Sequence, residues 1–286
     1  GTDHANRGPA YLLAGTPFVS LLKRLGFDSA SAWHLTNFLT FNLGIYLLYR
    51  LASKWMSQWA AFSVAALFTF QPLLWGHAFI NPKDVPFLTF FLGSVVFGFE
   101  LIDKWKTNSQ STNLPIYQLP ITNLLLASFF LGIATSIRIL GPLAAILIIL
   151  YAFVQGIKIS EFIKHPTIWL YAITSLAFMF ASWPYLWLNL LEKFAEVFVF
   201  MSDNPTQLNV LFAGENYQAG EIPRRYFPVL LSYTLTEPTY LLIALGFFFG
   251  FWKADNKKRL ALAILLFWFG ILAAYILLKR PAMYDG

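Results

Sequence analysis

Apolar runs recur along the whole chain, each roughly 17–25 residues long and separated by short polar segments. Runs of that length and even spread favour one membrane bundle over two soluble domains. The expected fold is therefore all-α, a polytopic transmembrane helical bundle. Eight spans are expected, at about 34–50, 58–78, 85–102, 121–137, 139–156, 167–183, 237–252 and 260–278. Several are short for a hydrocarbon core of about 30 Å, so tilt or local thinning must accommodate them. Charged residues make up only 12% of the 286, against about a quarter in a soluble domain.

Charge then orients the bundle. Arg50 and Lys54, Lys104 and Lys106, Lys158 and Lys164, and Lys253, Lys257, Lys258 and Arg259 occupy alternate short loops. Together they are half of the 20 basic residues, and the positive-inside rule places those loops in the cytoplasm. The other ten basic residues face ten acidic ones on the opposite side, so that side is charge-dense with a net charge near zero. Such a face reads as a polar site. The overall +6 reflects cytoplasmic loops and implies no nucleic-acid partner. Cysteine is absent, which removes disulfides and thiolate chemistry. The chain starts without Met and stops at "MYDG", and it reads as a fragment.

Four segments follow from this layout. Residues 1–33 are part of a first outer loop with an interfacial helix, since Leu12, Leu13, Phe18, Val19, Leu21, Leu22 and Leu25 lie opposite Lys23 and Arg24. Residues 34–183 form a six-span core. Residues 184–236 form a long outer loop with an amphipathic helix in "LWLNLLEKFAEVFVFM", followed by a Gly- and Pro-punctuated stretch. Residues 237–286 supply two further spans and the start of an outer loop.

The polar residues of the outer side have two readings each. In "NPKD", Asn81 caps a helix, Pro82 opens it and Asp84 meets its positive end. That reading leaves Lys83 unexplained, and a ligand role is its rival. Arg138, in a turn between two spans, contacts lipid headgroups or a bound anion. Arg224 and Arg225 suit a phosphate, or they pair with Glu215, Glu221 or Glu237. Lys279, Arg280, Tyr284 and Asp285 close the set. His77 reads as an interfacial hydrogen-bonding residue, and no His/Cys/carboxylate spacing marks a metal site. A lipid-linked phosphate with a polar head fits cations beside carboxylates above a greasy bundle.

"GHAFINPKDVPF", "GIATSIRILGP", "SWPYLW", "NVLFAG", "IPRRYFPVLLSYTLTEP" and "LKRPAMYDG" follow one another in an order that resembles bacterial dolichyl-phosphate-mannose–protein mannosyltransferase-like proteins. These belong to the GT-C glycosyltransferase superfamily. The resemblance covers nearly the whole chain, and it specifies the family better than the acceptor. It implies a polyprenyl-phosphate sugar donor used on the non-cytoplasmic face of a bacterial plasma membrane. It also implies a presumed general base in an Asp-Glu pair upstream of Gly1, so the chain is expected to be inactive alone. By the same resemblance, Asp84 takes the position of the acidic residue that opens the third family helix and is the expected catalytic residue. Asn81 and Lys83 would lie near the donor phosphate, Arg138, Arg224 and Arg225 would bind it, and Tyr284 and Asp285 would form the rim.

The expected activity is transfer of a sugar from a polyprenyl phosphate to an acceptor hydroxyl on a protein, lipid or glycan. No cofactor is called for, and a divalent metal held by paired carboxylates is the one the chemistry would admit. The alternative is a transporter or flippase of a lipid-linked or anionic solute, which would place charges and broken helices near the midplane. A structural membrane subunit leaves the charge-dense outer face without a purpose.

Overall fold

A computed structural model describes residues 8–110, 120–202, 208–253 and 255–279. Its chain divides into two compact units, one of residues 1–70 with 74–198 and one of residues 71–73 with 199–286. The described part is all-α apart from one hairpin.

The first unit opens with α1 (Ala10–Arg24) and α2 (Ser29–Ala52). Asp28 caps α2 by accepting from the N–H groups of Ala30 at 2.9 Å and Ser31 at 3.0 Å. A hydrogen bond from the Ser31 side chain, and then these backbone contacts, lower the pKa of its carboxyl. Tyr11 of α1 is buried and donates to Asn37 Oδ1 at 2.7 Å, and Asn37 in turn donates to the Phe79 carbonyl at 3.0 Å. This docks the expected interfacial helix onto the bundle.

The expected span at 58–78 is broken. α3 (Gln58–Thr69) and α4 (Pro72–Ile80) meet at a bend of 68°. Pro72 is the cause, because its ring and missing N–H end a helix that precedes it. α5 (Asp84–Gln110) follows. Its segment Asp84–Thr107 is, among the described residues, the one unbroken helix long and apolar enough to cross a membrane. The bent pair α3–α4 qualifies as a pair.

α6 (Ile121–Ile137), α7 (Pro142–Val154), α8 (Ile159–Lys164) and α9 (Pro166–Ser182) complete the helices around α5. α6 and α9 approach closely along a stripe of small residues. Ser128 Oγ donates to the Tyr171 carbonyl at 3.3 Å and Ser136 Oγ to the Met179 carbonyl at 3.0 Å. Between them a Cβ on Gly132 would stand 2.7 Å from the Ser175 carbonyl oxygen. Small residues four apart let two backbones touch, the usual device for helices that lack a hydrophobic drive to associate. A 3₁₀ turn (Pro184–Trp187) leads to α10 (Leu190–Ser202), the amphipathic helix expected after the core.

In the second unit, residues read as a loop instead form β1 (Asn209–Phe212) paired antiparallel with β2 (Glu215–Gln218). Ala213 and Gly214 both have positive φ, 54° and 85°, which is the backbone of a two-residue hairpin turn. The hairpin buries Val210 against Ile222 and Tyr226, with Phe212 and Tyr217 packed alongside. α11 (Tyr226–Thr234) and α12 (Glu237–Lys253) follow, then α13 (Asn256–Lys279). α11 and the Glu237–Phe249 part of α12 form a second bent pair, at 108°. Gln71 fills that break: its amide donates to Thr239 Oγ1 at 2.7 Å and Thr236 Oγ1 at 3.1 Å, and accepts from the Thr236 N–H at 3.3 Å.

Candidate functional site

The turn before α5 is built by Asn81. Its Oδ1 accepts from the backbone N–H groups of Lys83 at 3.0 Å and Asp84 at 2.9 Å, which satisfies donors that a helix start otherwise leaves unpaired. With the carbonyl so occupied, the amide nitrogen must face acceptors. It donates to Asp84 Oδ2 at 3.0 Å and lies 3.2 Å from His77 Nδ1. Nδ1 therefore carries a lone pair and the ring proton sits on Nε2. The capping reading of "NPKD" holds for Asn81 and Asp84, and His77 is the hydrogen-bonding residue its sequence context indicated.

Arg138 brings the second element. α6 ends at Ile137, and Arg138 leaves the helix with φ −143° and ψ 135°. Its Nη2 forms an ion pair with Asp84 Oδ1. The two side chains are 38% and 49% exposed, so the pair sits at the mouth of the helix bundle rather than inside it. Both Asp84 oxygens are thus engaged. Arg138 Nε, by contrast, is buried and has no hydrogen-bond partner among the described residues. A guanidinium N–H without a partner is costly unless something completes it. His77, Asn81, Asp84 and Arg138 form one chain of contacts, and Lys83 belongs to the same turn.

A mostly apolar cavity of about 530 Å³ runs among α5–α10. Leu101 and Ile102 line it from α5, Leu191 and Phe194 from α10, and Thr135 from α6. Thr135 stands three residues before Arg138 in the sequence, so the lining of the cavity includes the last turn of α6. Farther along α10, Glu196 accepts from the Tyr185 hydroxyl at 2.6 Å and from Lys193 at 2.7 Å. Hydrogen bonds from Lys193 and then Tyr185 lower the Glu196 carboxyl pKa.

Arg224 and Arg225 belong to the second unit and have their own surroundings there. Both are exposed. The Arg225 guanidinium lies 5.6 Å over the Phe212 ring, and a cleft beside it is lined by Leu211, Leu230 and Tyr233 among others. Glu215, the carboxylate offered as its partner, accepts from the Tyr217 hydroxyl. That bond raises the Tyr217 pKa and Arg225 opposes it. Tyr284 and Asp285 lie outside the described residues. Among the described residues no three His, Cys, Asp or Glu side chains come together in a way that could hold a metal.

No family model, curated protein or solved structure matches this chain.

Proposed function

We propose that the protein is a membrane glycosyltransferase that moves a sugar from a polyprenyl phosphate to an acceptor hydroxyl on the non-cytoplasmic face. The observation that carries this reading is the Arg138 guanidinium: fixed by Asp84 at one nitrogen, without a partner at Nε among the described residues, and next to a helix turn that lines a mostly apolar cavity. An anionic headgroup with a prenyl chain has those two requirements in that order. Charge on the loops supports the sidedness, with Asp84 and Arg138 at the end of the bundle opposite Arg50 and Lys54. The motif resemblance supports the reaction class.

In this reading the leaving group is the prenyl phosphate. The bond from the anomeric carbon to the phosphate oxygen breaks, the acceptor oxygen bonds to that carbon, and the hydroxyl proton passes to a carboxylate of the Asp-Glu pair that the resemblance implies. General-base help of this kind is worth roughly 10²–10⁴-fold. Arg138 stabilises the charge that develops on the phosphate, and Lys83 adds a second cation from the turn. Asp84 keeps the guanidinium aimed and Asn81 keeps Asp84 aimed. With both oxygens bonded, Asp84 is better placed to orient Arg138 than to accept a proton itself.

The two bent helix pairs favour a second reading, a transporter or flippase, because broken helices mark substrate paths in transporters. Polar but uncharged side chains fill the second break, Gln71 with Thr236 and Thr239, which gives an ionic substrate little purchase there. Membranes containing the protein together with the Asp-Glu outer loop that the resemblance implies, supplied with a radiolabelled polyprenyl-phosphate sugar, separate the two. Label appearing on an acceptor supports the transferase. Label moving across the bilayer with no bond made supports the transporter.

A further inference from the structure

The end of the helical unit opposite Asp84 holds a second polar cluster that sugar transfer does not use. Asp103 stands 19 residues after Asp84 on α5, about 28 Å at 1.5 Å per residue. That is close to the thickness of a hydrocarbon core, about 30 Å. Glu100 takes the Arg50 guanidinium as a fork, 2.8 Å from Nε and 2.9 Å from Nη2, and accepts from Asn123 Nδ2 at 2.8 Å. Asp103 binds Lys54 and accepts from the Tyr151 hydroxyl at 2.7 Å. Both carboxylates are thereby occupied.

Two lysines remain with uncharged acceptors. Lys104 Nζ donates to Asn123 Oδ1 at 2.6 Å and Lys106 Nζ to the Gln155 carbonyl at 2.6 Å. Four cations (Arg50, Lys54, Lys104, Lys106) against two carboxylates (Glu100, Asp103) leave a surplus of two positive charges. Beside them opens a cavity of about 440 Å³. Arg50, Glu100, Asp103, Lys104, Thr122 and Asn123 line it together with Phe97 and Leu126. The lining therefore sets charged and polar side chains beside two apolar ones.

We propose that this notch binds the headgroup of an anionic phospholipid. The assignment rests on the helices crossing a bilayer and is independent of sugar transfer. Among the described residues Arg50 Nη1, two of the three Lys104 N–H groups and the Thr122 hydroxyl are left to donate to phosphate oxygens, while Phe97 and Leu126 receive the first carbons of the lipid. Basic pockets between helices at the membrane end are recognised by such headgroups.

The test uses the purified protein in neutral detergent, titrated separately with phosphatidylglycerol, phosphatidylcholine and inorganic phosphate, with bound lipid counted by native mass spectrometry and stability followed by thermal midpoint. Phosphatidylglycerol should be retained and should raise the midpoint. Lys104→Gln, whose amide still donates to Asn123, should weaken phosphatidylglycerol about fivefold and leave phosphatidylcholine unchanged. Thr122→Val carries the same test should Lys104→Gln fail to fold. Equal retention of the two lipids, or unaltered phosphatidylglycerol affinity in both variants, would overturn the proposal. The same stabilisation by inorganic phosphate at equal concentration would overturn it too, since the ligand would then be a free anion.

Discussion

Arg138, the residue that ends α6, is ion-paired to Asp84, the residue that opens α5, across 54 positions of sequence. The pair joins the C-terminal end of one helix to the N-terminal end of its neighbour, where each charge also meets the helix dipole it does not repel. Half-exposed pairs of this kind contribute only about 0–1 kcal/mol to stability. Its use is therefore better sought in aiming the guanidinium than in holding the fold.

Asp84→Asn separates those roles. The variant should lose about 1 kcal/mol or less of stability, the sum of a weak dipole contact and a half-exposed pair. Affinity for a polyprenyl phosphate should fall roughly tenfold or more, because Arg138 loses the partner that aims it at the phosphate. Thermal midpoint and polyprenyl-phosphate affinity are the two readings. Equal small losses in both would leave Asp84 as a helix cap only.

Asn81→Asp makes a finer cut. The carboxylate can still cap the Lys83 and Asp84 N–H groups, but it can no longer donate to Asp84 and sets two negative charges side by side. Stability should stay within about 1 kcal/mol while donor affinity drops. Asn81→Ala should cost both, since the cap itself is worth about 1 kcal/mol.

Gly132→Val tests the close contact of α6 with α9. The new side chain would have to displace the backbone at Ser175, and overpacking of this kind costs about 1–3 kcal/mol. Gly132→Ala should cost less than Gly132→Val. The order of thermal midpoints in detergent checks it, and no loss in either would mean that α6 and α9 do not approach this closely.

His165 sets a pH dependence at the start of α9. Its Nδ1 accepts from the Thr167 N–H at 3.3 Å, a contact that only the neutral ring can make. Burial lowers the His165 pKa, so the folded state prefers the uncharged ring. The stabilisation is full above the ordinary histidine pKa and is lost as pH falls through the lower folded value. The thermal midpoint should therefore decline from pH 7 toward pH 5, and His165→Asn, which caps without titrating, should flatten that decline.

Legibility differed by element. The α5 span was plain in the sequence because no charge interrupts Asp84 to Glu100, and Asn81 announced its start through cap chemistry alone. The amphipathic α10 was plain for the same kind of reason, its Glu192, Lys193 and Glu196 falling on one face. The break at Gln71 was missed because "FTFQPLLW" carries no charge through the bend, and only Pro72 signalled it. The hairpin was missed because "NVLFAGENYQ" is short and its turn uses Ala213, a residue that rarely takes positive φ. The Asp84–Arg138 pair could be named but not assembled, since pairing across two helices depends on which ends lie together. The Glu100–Asn123 contact had a fainter signal, a lone Asn near the start of an apolar run, where a polar side chain must find a partner.

The most direct measurement is equilibrium binding of a polyprenyl phosphate to the purified protein and to its Arg138→Ala and Arg138→Lys variants. Charge-assisted contacts to phosphate are worth about 1.5–3 kcal/mol, so Arg138→Ala should weaken binding roughly ten- to a hundredfold. Arg138→Lys should recover part of it, because the charge returns without the fork, and the thermal midpoint without ligand should move by no more than a degree or two. Wild-type affinity in the alanine variant would contradict the assignment of Arg138 to the donor phosphate, and with it the proposed site.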